Sequence, residues 1–440
     1  MIKRIILPII LFLVLVTISA CINSESNFVA SSPTADVQIS HNQDCWQIKS
    51  LQDKKSPSGS LVYSSRTSSE KDSVYYWNIS TSQSFPIEID ANLDILVDRI
   101  VSPDGKSIAR ESDKGLAILS AGKVKYSPLP DGAYLSRYLP IGEILLIKYR
   151  SENWDSKQRD KYRIIGGDFT DVFYVLNPST GNFTEHSVTL PMLQTTSHDY
   201  FAINYSPDLH YVIYKSNHKQ SNNFDTELTL FDIEKNEIVW VGPPDVPNMI
   251  GSNSMIPGWN SVTNSLTYVY GDQEGTYSNY YSITLDGKAT PLTDFKDVVV
   301  NSWGHGWVTY SEWSPDGRYL IFFGDKKSSE ADEPGLRELY ILDNKNKTVF
   351  RTCMPQKEMG YNSQFPDWYF DDSQFIINFT SYGQSGESEM PIVNSSTDLI
   401  FDIPSKTIYE LPYVHKIDNF ISSFGFPPAE FLGWVAWEKP

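Results

Sequence analysis

A turn motif that recurs along the chain constrains the fold of this sequence more than any other feature. The motif Ser-Pro-Asp, followed by an apolar run, occurs at residues 102–109 (SPDGKSIA), 206–213 (SPDLHYVI) and 314–321 (SPDGRYLI). Proline presets φ for the second turn position, aspartate bonds to its own backbone, and glycine accepts a positive φ. Each copy therefore predicts a tight hairpin between two apolar strands, with Asp104, Asp208 and Asp316 at equivalent turns.

Weaker copies of this turn, a second hairpin after each of the six copies, and one such hairpin before the first copy extend the pattern through the chain. The weaker copies lie at residues 138–149, 259–270 and 366–379. The second hairpins lie at residues 77–87, 118–129, 176–187, 231–241, 283–293, 342–352 and 401–411. Two hairpins per repeat make a four-stranded antiparallel sheet, so the pattern predicts an all-β propeller of about seven blades. Irregular insertions at residues 150–170 and 243–258 leave six or eight blades open.

The two ends of the pattern complement each other. The first repeat has only three strands, at residues 61–65, 74–78 and 85–89, whereas residues 431–437 form one further apolar strand. We expect this last strand to pair with the first sheet and to close the propeller, because an open sheet edge invites aggregation.

The repeats support a family resemblance. The Ser-Pro-Asp-Gly hairpins, with Trp313 just before the third, resemble the repeats of the TolB propeller domain and of the propellers of prolyl oligopeptidases. The resemblance covers most of residues 60–437 and implies a TolB-like β-propeller. It implies little about function, because propellers support many unrelated tasks.

The N-terminus has the features of an export signal. Lys3 and Arg4 precede an apolar run at residues 5–16, and small residues then lead to a cysteine. Residues 18–21 (ISAC) resemble the bacterial lipobox, which implies cleavage before Cys21 and attachment of a lipid to its thiol. An ordinary cleaved signal or an uncleaved anchor remains the alternative. Ile22 stands where many lipoproteins of the inner membrane have aspartate.

This organisation divides the chain into three parts. We predict a signal peptide at residues 1–20, a flexible tether rich in Ser, Asn and Thr at residues 21–41, and the propeller at residues 42–440. The expected location is the bacterial cell envelope, lipid-anchored and extracytoplasmic, facing either the periplasm or the outside.

Two cysteines remain after Cys21. In an oxidising compartment Cys45 and Cys353 can form a disulfide that ties the start of the domain to a late blade. Two buried free thiols are the alternative.

Charge and known motifs exclude several classes of function. The net charge is -18, from 36 basic and 54 acidic residues, and no basic cluster suits nucleic acid. The sequence has no Gly-x-Ser-x-Gly elbow, no His-Glu-x-x-His, no phosphate-binding loop and no dinucleotide fingerprint. Three residues follow Trp437, so we do not expect the hydrolase domain of a peptidase. We expect no cofactor and no catalytic residue.

Two histidines keep an enzyme under consideration. His198 precedes Ser206 by eight residues and His305 precedes Ser314 by nine. Both are therefore predicted in loops that lead into the innermost strand of a blade, and such loops line the mouth of a propeller channel. Two imidazoles at such a mouth could hold a divalent metal, but a metal enzyme needs more ligands than these.

Two hypotheses of different class follow. The first is a monomeric, non-catalytic module that binds an envelope protein or glycan while its lipid attaches it to the membrane. The alternative is a metal-assisted carbohydrate lyase or hydrolase with its site at the channel mouth.

Overall fold

The three Ser-Pro-Asp turns have the same local structure. In each, the serine hydroxyl donates a hydrogen bond to the aspartate two residues later, over 2.5 to 2.7 Å. The backbone N–H five residues after the serine donates to the same hydroxyl oxygen at 2.9 Å in every copy. The fourth position has a positive φ even at Leu209, where the other copies have glycine. The predicted equivalence of the turns at Asp104, Asp208 and Asp316 is confirmed.

The structure is a computed structural model, which describes residues 39–42, 44–50, 58–65, 73–93, 100–148, 166–194, 203–217, 227–242, 258–271, 277–300, 311–326, 336–355, 367–369, 373–384, 391–411 and 429–437. The chain divides into two units, Met1–Thr34 and Ala35–Pro440, and every described residue belongs to the second. The described residues form strands, turns and bends and contain no helix, so the all-β prediction is confirmed. Accordingly, this part of the chain has no apolar helix of membrane-spanning length.

The strands follow the order of the predicted hairpins. In chain order they are β1 (Ser40–Asn42), β2 (Gln47–Ser50), β3 (Ser60–Ser65), β4 (Ser73–Asn78), β5 (Gln83–Ile87), β6 (Ile100–Val101), β7 (Ser107–Ser112), β8 (Gly115–Ser120), β9 (Lys123–Ser127), β10 (Ala133–Tyr138), β11 (Ile144–Lys148), β12 (Gly167–Leu176), β13 (Phe183–Leu193), β14 (Ile203–Tyr205), β15 (Tyr211–Ser216), β16 (Glu227–Asp232), β17 (Glu237–Val241), β18 (Gly258–Asn260), β19 (Ser265–Gly271), β20 (Ser278–Ile283), β21 (Ala289–Pro291), β22 (Val298–Val300), β23 (Ser311–Trp313), β24 (Tyr319–Lys326), β25 (Leu336–Asp343), β26 (Thr348–Pro355), β27 (Asp367–Trp368), β28 (Gln374–Gln384), β29 (Pro391–Asp402), β30 (Thr407–Glu410) and β31 (Ala429–Val435).

These strands form a series of antiparallel meanders, which we number along the chain. Meander 1 contains β31, β3, β4 and β5 in that order across the sheet, and meanders 2 to 5 contain β6–β9, β10–β13, β14–β17 and β18–β21. Meander 6 contains β23–β26, with β22 beside the end of β24, and meander 7 contains β27–β30. One residue pair, Leu193 with Ser216, joins meanders 3 and 4 into a single eight-stranded sheet. All seven predicted second hairpins are present as antiparallel pairs.

Apolar side chains pack between successive meanders. Seven buried clusters lie between meanders 1 and 2, 2 and 3, 3 and 4, 4 and 5, 5 and 6, 6 and 7, and finally 7 and 1. The last of these brings Ile376 and Ile400 of meander 7 against Leu61 and Trp434 of meander 1. Each meander therefore buries both of its faces, as the near-continuous apolar runs of its central strands require.

The C-terminal strand belongs to the first sheet. β31 pairs antiparallel with β3 from Ser65 opposite Ala429 to Ser60 opposite Val435. The backbone at Gly433 has φ +153°, and a Cβ there would lie 2.6 Å from the Val101 side chain, so this position suits glycine. The predicted pairing of the last strand with the first sheet is confirmed.

Candidate functional site

The residues predicted to carry function divide into two groups. Cys21, His198 and His305 lie outside the described residues, and so does most of the tether predicted at residues 21–41. Cys45 and Cys353 are described. The search for a candidate site therefore begins at Cys45 and the residues next to it.

Residues 39–42 and 44–50, which we call the N-terminal strap, run along the outer edges of two late sheets. β1 pairs parallel with β26, from Ser40 opposite Thr348 to Asn42 opposite Phe350. β2 pairs parallel with β30, from Gln47 opposite Thr407 to Ser50 opposite Glu410. The predicted tether boundary at residue 42 thus falls inside a paired segment. The alternation of apolar and polar residues at 37–41 (VQISH) was the available signal for a strand.

Two apolar side chains of the strap are buried between the meanders. Ile39 lies in the cluster between meanders 5 and 6. Trp46 lies in the cluster between meanders 6 and 7, with its ring centroid 6.2 Å from that of Phe401. Because each side chain is buried in a cluster that two meanders share, the strap is part of the packed fold rather than an addition to its surface.

A disulfide between Cys45 and Cys353 joins the strap to β26. The two residues are 308 positions apart, and their Cα atoms are separated by 5.2 Å, which is within the usual range for disulfides. A bulge in β26 lies between the partners of Glu338 and Tyr340, and Cys353 within it has φ +59°. Bulges redirect side chains, and here the redirected thiol meets the strap.

Replacing both cysteines by serine is expected to lower the free energy of unfolding by about 2–4 kcal/mol. The cross-link restricts a very long loop in the unfolded chain, and β1 and β2 are too short to retain the strap alone. Denaturation in urea measures the first effect, and tryptic cleavage after the exposed Lys49 measures release of the strap.

The control for this prediction is the wild-type protein after reduction, which should resemble the Cys45→Ser, Cys353→Ser variant in both measurements. Equal stability and equal cleavage at Lys49 in the variant and the oxidised wild type would show that the disulfide contributes nothing to strap retention.

A cavity of about 360 Å³ lies beside the strap. It is bounded by three elements: the strap, the segment between β21 and β22, and the outer part of meander 6. Its lining residues are His41, Asn42, Asp294, Phe295, Lys296, Asp297, Val298, Tyr340, Val349 and Arg351. This volume is within the range of small-molecule sites.

The segment between β21 and β22 is held in place by Asn279 on β20. The buried Asn279 amide accepts a hydrogen bond from the Phe295 N–H at 2.6 Å and donates to the Phe295 carbonyl at 3.1 Å. Its oxygen also accepts from the Thr293 hydroxyl at 2.9 Å. One buried side chain therefore fixes the backbone of this wall of the cavity.

Contacts with carboxylates hold two side chains of the cavity. The His41 imidazole contacts the Asp294 carboxylate through Nε2, which also connects the strap to the opposite wall. Arg351 forms a bidentate pair with Glu338, with Nη2 2.5 Å from Oε1. The hydrogen bond to Glu338 raises the pKa of Arg351, while burial raises the pKa of the Tyr340 phenol beside them. Arg351 is therefore a cation and Tyr340 a neutral hydroxyl throughout the physiological range.

Three aromatic rings follow one another along the cavity. The His41 ring meets that of Phe295 edge to face, with centroids 5.3 Å apart. Phe295 in turn meets Tyr340 edge to face at 5.2 Å. Phe295, Tyr340, Val298 and Val349 are the buried members of the cavity lining, and we call its charged members, Asp294, Lys296, Asp297 and Arg351, the rim.

Other buried polar groups connect meanders rather than line a cavity. Tyr205 donates to the buried Asp171, and Arg137 donates to the Tyr205 carbonyl, across the junction of meanders 3 and 4. Burial lowers the pKa of Arg137 to about 10. Because this value is still well above neutral pH, the guanidinium remains charged there. Tyr63 donates to Asp398 at 2.5 Å across the junction of meanders 7 and 1. These contacts pair buried polar groups across the junctions, while Nε of Arg137 has no hydrogen-bond partner among the described residues.

The described residues contain no group of three or more His, Cys, Asp or Glu side chains placed to hold a metal. The metal hypothesis for His198 and His305 concerns residues outside this part of the chain and stays a hypothesis.

Neither a protein-family model nor a curated protein matches the sequence. Solved structures similar to this chain include the acylaminoacyl peptidase of Pyrococcus horikoshii (TM-score 0.50, 11% identity, 81% of this chain and 51% of the peptidase). They also include TolB from Acinetobacter baumannii (TM-score 0.35, 12% identity, 80% of this chain and 62% of TolB). A third is a putative 6-phosphogluconolactonase from Bacteroides uniformis (TM-score 0.37, 12% identity, 76% and 95%).

The chain spans about half the length of the peptidase and 62% of the length of TolB. At such low identity the likeness concerns the fold alone, and the peptidase comparison supports a shared β architecture for the matched part. Activity does not follow from it.

Proposed function

We propose that this protein is a lipid-anchored lipoprotein of the bacterial cell envelope whose domain is a closed, seven-bladed, TolB-like β-propeller. In this proposal the propeller binds an envelope protein or glycan and catalyses no reaction. The lipid is attached to Cys21, and the chain is extracytoplasmic.

Packing between the meanders supports the closed ring. Seven apolar clusters pair each meander with the next and the last with the first. β31 and β3, which come from opposite ends of the sequence, share meander 1. A linear stack of sheets would leave two apolar faces exposed, whereas a ring leaves none.

The strap is the observation that carries the proposed anchoring role. A segment that only connected a lipid to a domain would have no reason to pack into the fold. Here Trp46 is buried between two meanders and Cys45 is bonded to β26, so tension on the preceding residues would act on the propeller as a whole. The lipobox resemblance at residues 18–21 supplies the attachment upstream.

The chemistry of the cavity favours binding over catalysis. The described residues that line it include no serine, threonine or cysteine that His41 could activate as a nucleophile, and Arg351 is held by the Glu338 carboxylate. The sequence likewise lacks the nucleophile and phosphate motifs of common enzyme classes.

The Cys21→Ser variant is expected to lose its lipid and to move from the membrane fraction to the soluble fraction. A thiol at this position is the acceptor that the lipobox resemblance implies. Metabolic labelling with a fatty-acid probe, followed by fractionation, measures both effects. The matched control is the Cys45→Ser, Cys353→Ser variant, which should keep its label. Label retained by Cys21→Ser would refute anchoring at that residue.

The binding role is tested separately from the anchor. Intact lipidated protein, cross-linked in cells and recovered from membranes, should carry a stoichiometric envelope protein or glycan. Turnover of oligosaccharides with bound manganese, calcium or zinc, lost in a His198→Ala, His305→Ala variant, would overturn this role in favour of the lyase or hydrolase.

A further inference from the structure

We propose that the cavity beside the strap binds one uncharged mono- or disaccharide unit of an envelope glycan, so that a glycan is the partner of the binding role. This inference rests on the proposed function, which it makes more specific. It assigns the site to meander 6, the segment between β21 and β22, and the strap.

The size and form of the cavity suit a short sugar. A volume of about 360 Å³ accommodates one or two pyranose rings and leaves no room for a folded partner element. The walls come from segments held by the Asn279 hydrogen bonds and by the disulfide, so the cavity is formed before a ligand arrives. A preformed site avoids the entropy cost of ordering its walls on binding.

Apolar side chains form part of the cavity lining. Phe295, Tyr340 and Val349 line the cavity and are 2–5% exposed, so each offers a ligand only a small part of its side chain. One face of a pyranose ring carries mainly C–H groups, which pack against aromatic and aliphatic side chains and displace water from them. The hydroxyl groups at the sugar edge then point to the rim.

The lining includes both hydrogen-bond donors and acceptors. The Asp294 and Asp297 carboxylates accept hydrogen bonds, and the Arg351 guanidinium and the Lys296 ammonium donate them. The Asn42 side-chain oxygen accepts from the Asp44 N–H at 2.9 Å, while its amide nitrogen donates to no described residue. A sugar hydroxyl both donates and accepts, so adjacent hydroxyls match a rim of this kind.

The charges around the cavity favour a neutral ligand. They are the carboxylates of Asp294, Asp297 and Glu338 and the cations of Lys296 and Arg351, and the His41 imidazole lies beside them. An anionic ligand would meet the carboxylates, and a cationic one the ammonium and guanidinium groups, each at close range. A ligand without net charge leaves the Arg351–Glu338 pair intact, and leaving the buried Glu338 carboxylate without its partner is costly.

The strap makes this site dependent on the anchor segment. His41 and Asn42 form one wall, and they are kept in place by the pairing of β1 and by the Cys45–Cys353 bond. Release of the strap opens the cavity on that side. Sugar binding should therefore weaken when the disulfide is removed, although no cysteine lines the cavity.

The test uses the full-length protein in a detergent without a sugar headgroup and measures ligand binding by saturation-transfer NMR. The probes are neutral disaccharides (chitobiose, cellobiose and maltose), an acidic one (digalacturonate) and a basic one (the glucosamine dimer). Asn42→Trp fills the cavity from the strap, and the control Lys49→Trp adds the same ring at an exposed strap position. Asp297→Ala removes a rim acceptor, and the control Glu237→Ala removes an exposed carboxylate of meander 4.

We expect at least one neutral disaccharide to bind, with loss of its signal in Asn42→Trp and retention in Lys49→Trp. Asp297→Ala should weaken binding about tenfold, as expected for one hydrogen bond to a charged group, while Glu237→Ala leaves it unchanged. The Cys45→Ser, Cys353→Ser variant should bind more weakly than the wild type. Circular dichroism and thermal unfolding establish that each variant is folded.

Three results would overturn the inference: a signal unchanged in Asn42→Trp, tighter binding of the acidic or basic probe, or no binding of any neutral sugar. If the lipidated protein still captures an envelope partner in these cases, the proposed function stands and only the site is wrong. If it captures none, the proposed function itself fails.

Discussion

Replacement of Trp434 by alanine is expected to lower the free energy of unfolding by about 3–5 kcal/mol, the usual cost of truncating a buried aromatic side chain. Trp434 has no exposed surface and belongs to the cluster that joins meander 7 to meander 1. Its ring centroid is 4.5 Å from that of Tyr369, and its Nε1 donates to the Ser58 carbonyl at 2.9 Å. Truncation leaves a large cavity and a carbonyl without its donor, at the junction between the first and last sheets.

Urea denaturation followed by circular dichroism measures this loss. Trp434→Phe keeps most of the buried volume, so it should lose much less stability than the alanine variant. Val262→Ala, at a side chain that is 61% exposed, should change stability by less than about 0.5 kcal/mol. A loss below about 1 kcal/mol in Trp434→Ala would show that the C-terminal strand is not part of the cooperative fold.

Replacement of Arg351 by methionine is expected to cost about 3 kcal/mol. Glu338 is only 5% exposed, and Arg351 is its bidentate partner on the neighbouring strand. Removing one member of such a pair leaves an uncompensated buried charge, which typically costs 3–5 kcal/mol. We place the effect at the lower end because the Arg351 side chain is 34% exposed and water reaches it.

Two further variants identify the cause of this loss. The double variant Glu338→Leu, Arg351→Met should recover most of the stability, because it removes the orphaned carboxylate as well as the cation. Lys114→Met, which breaks the exposed pair with Asp90, should cost about 1 kcal/mol or less. If the double variant is less stable than Arg351→Met, the pair contributes through packing rather than through charge compensation.

Local sequence predicted the hairpins because their determinants are local. Within each Ser-Pro-Asp turn, the serine, the aspartate and the residue with positive φ lie within four positions of one another. The second hairpins likewise depend on a polar turn between two apolar runs. Such interactions are decided by neighbours in the chain, and a single sequence is enough to find them.

The pairing of β31 with β3 was also predictable, although its partners lie more than 350 positions apart. The reason is the number of strands: the first repeat has only three, and the end of the chain has one strand that belongs to no hairpin. The strap offered no such clue. Its two strands are three and four residues long and join sheets that were already complete.

The sequence by itself therefore determined the all-β class, the hairpins, the location of their turns and the partner of the last strand. Only the tertiary structure decided that residues 39–50 pack against meanders 6 and 7, that Cys45 lies beside Cys353, and that a cavity forms between His41, Phe295 and Tyr340. These features bring together residues from positions 39–50, 294–298 and 340–353. Their contacts depend on how whole sheets are placed in space, and no short-range pattern of residue types specifies that placement.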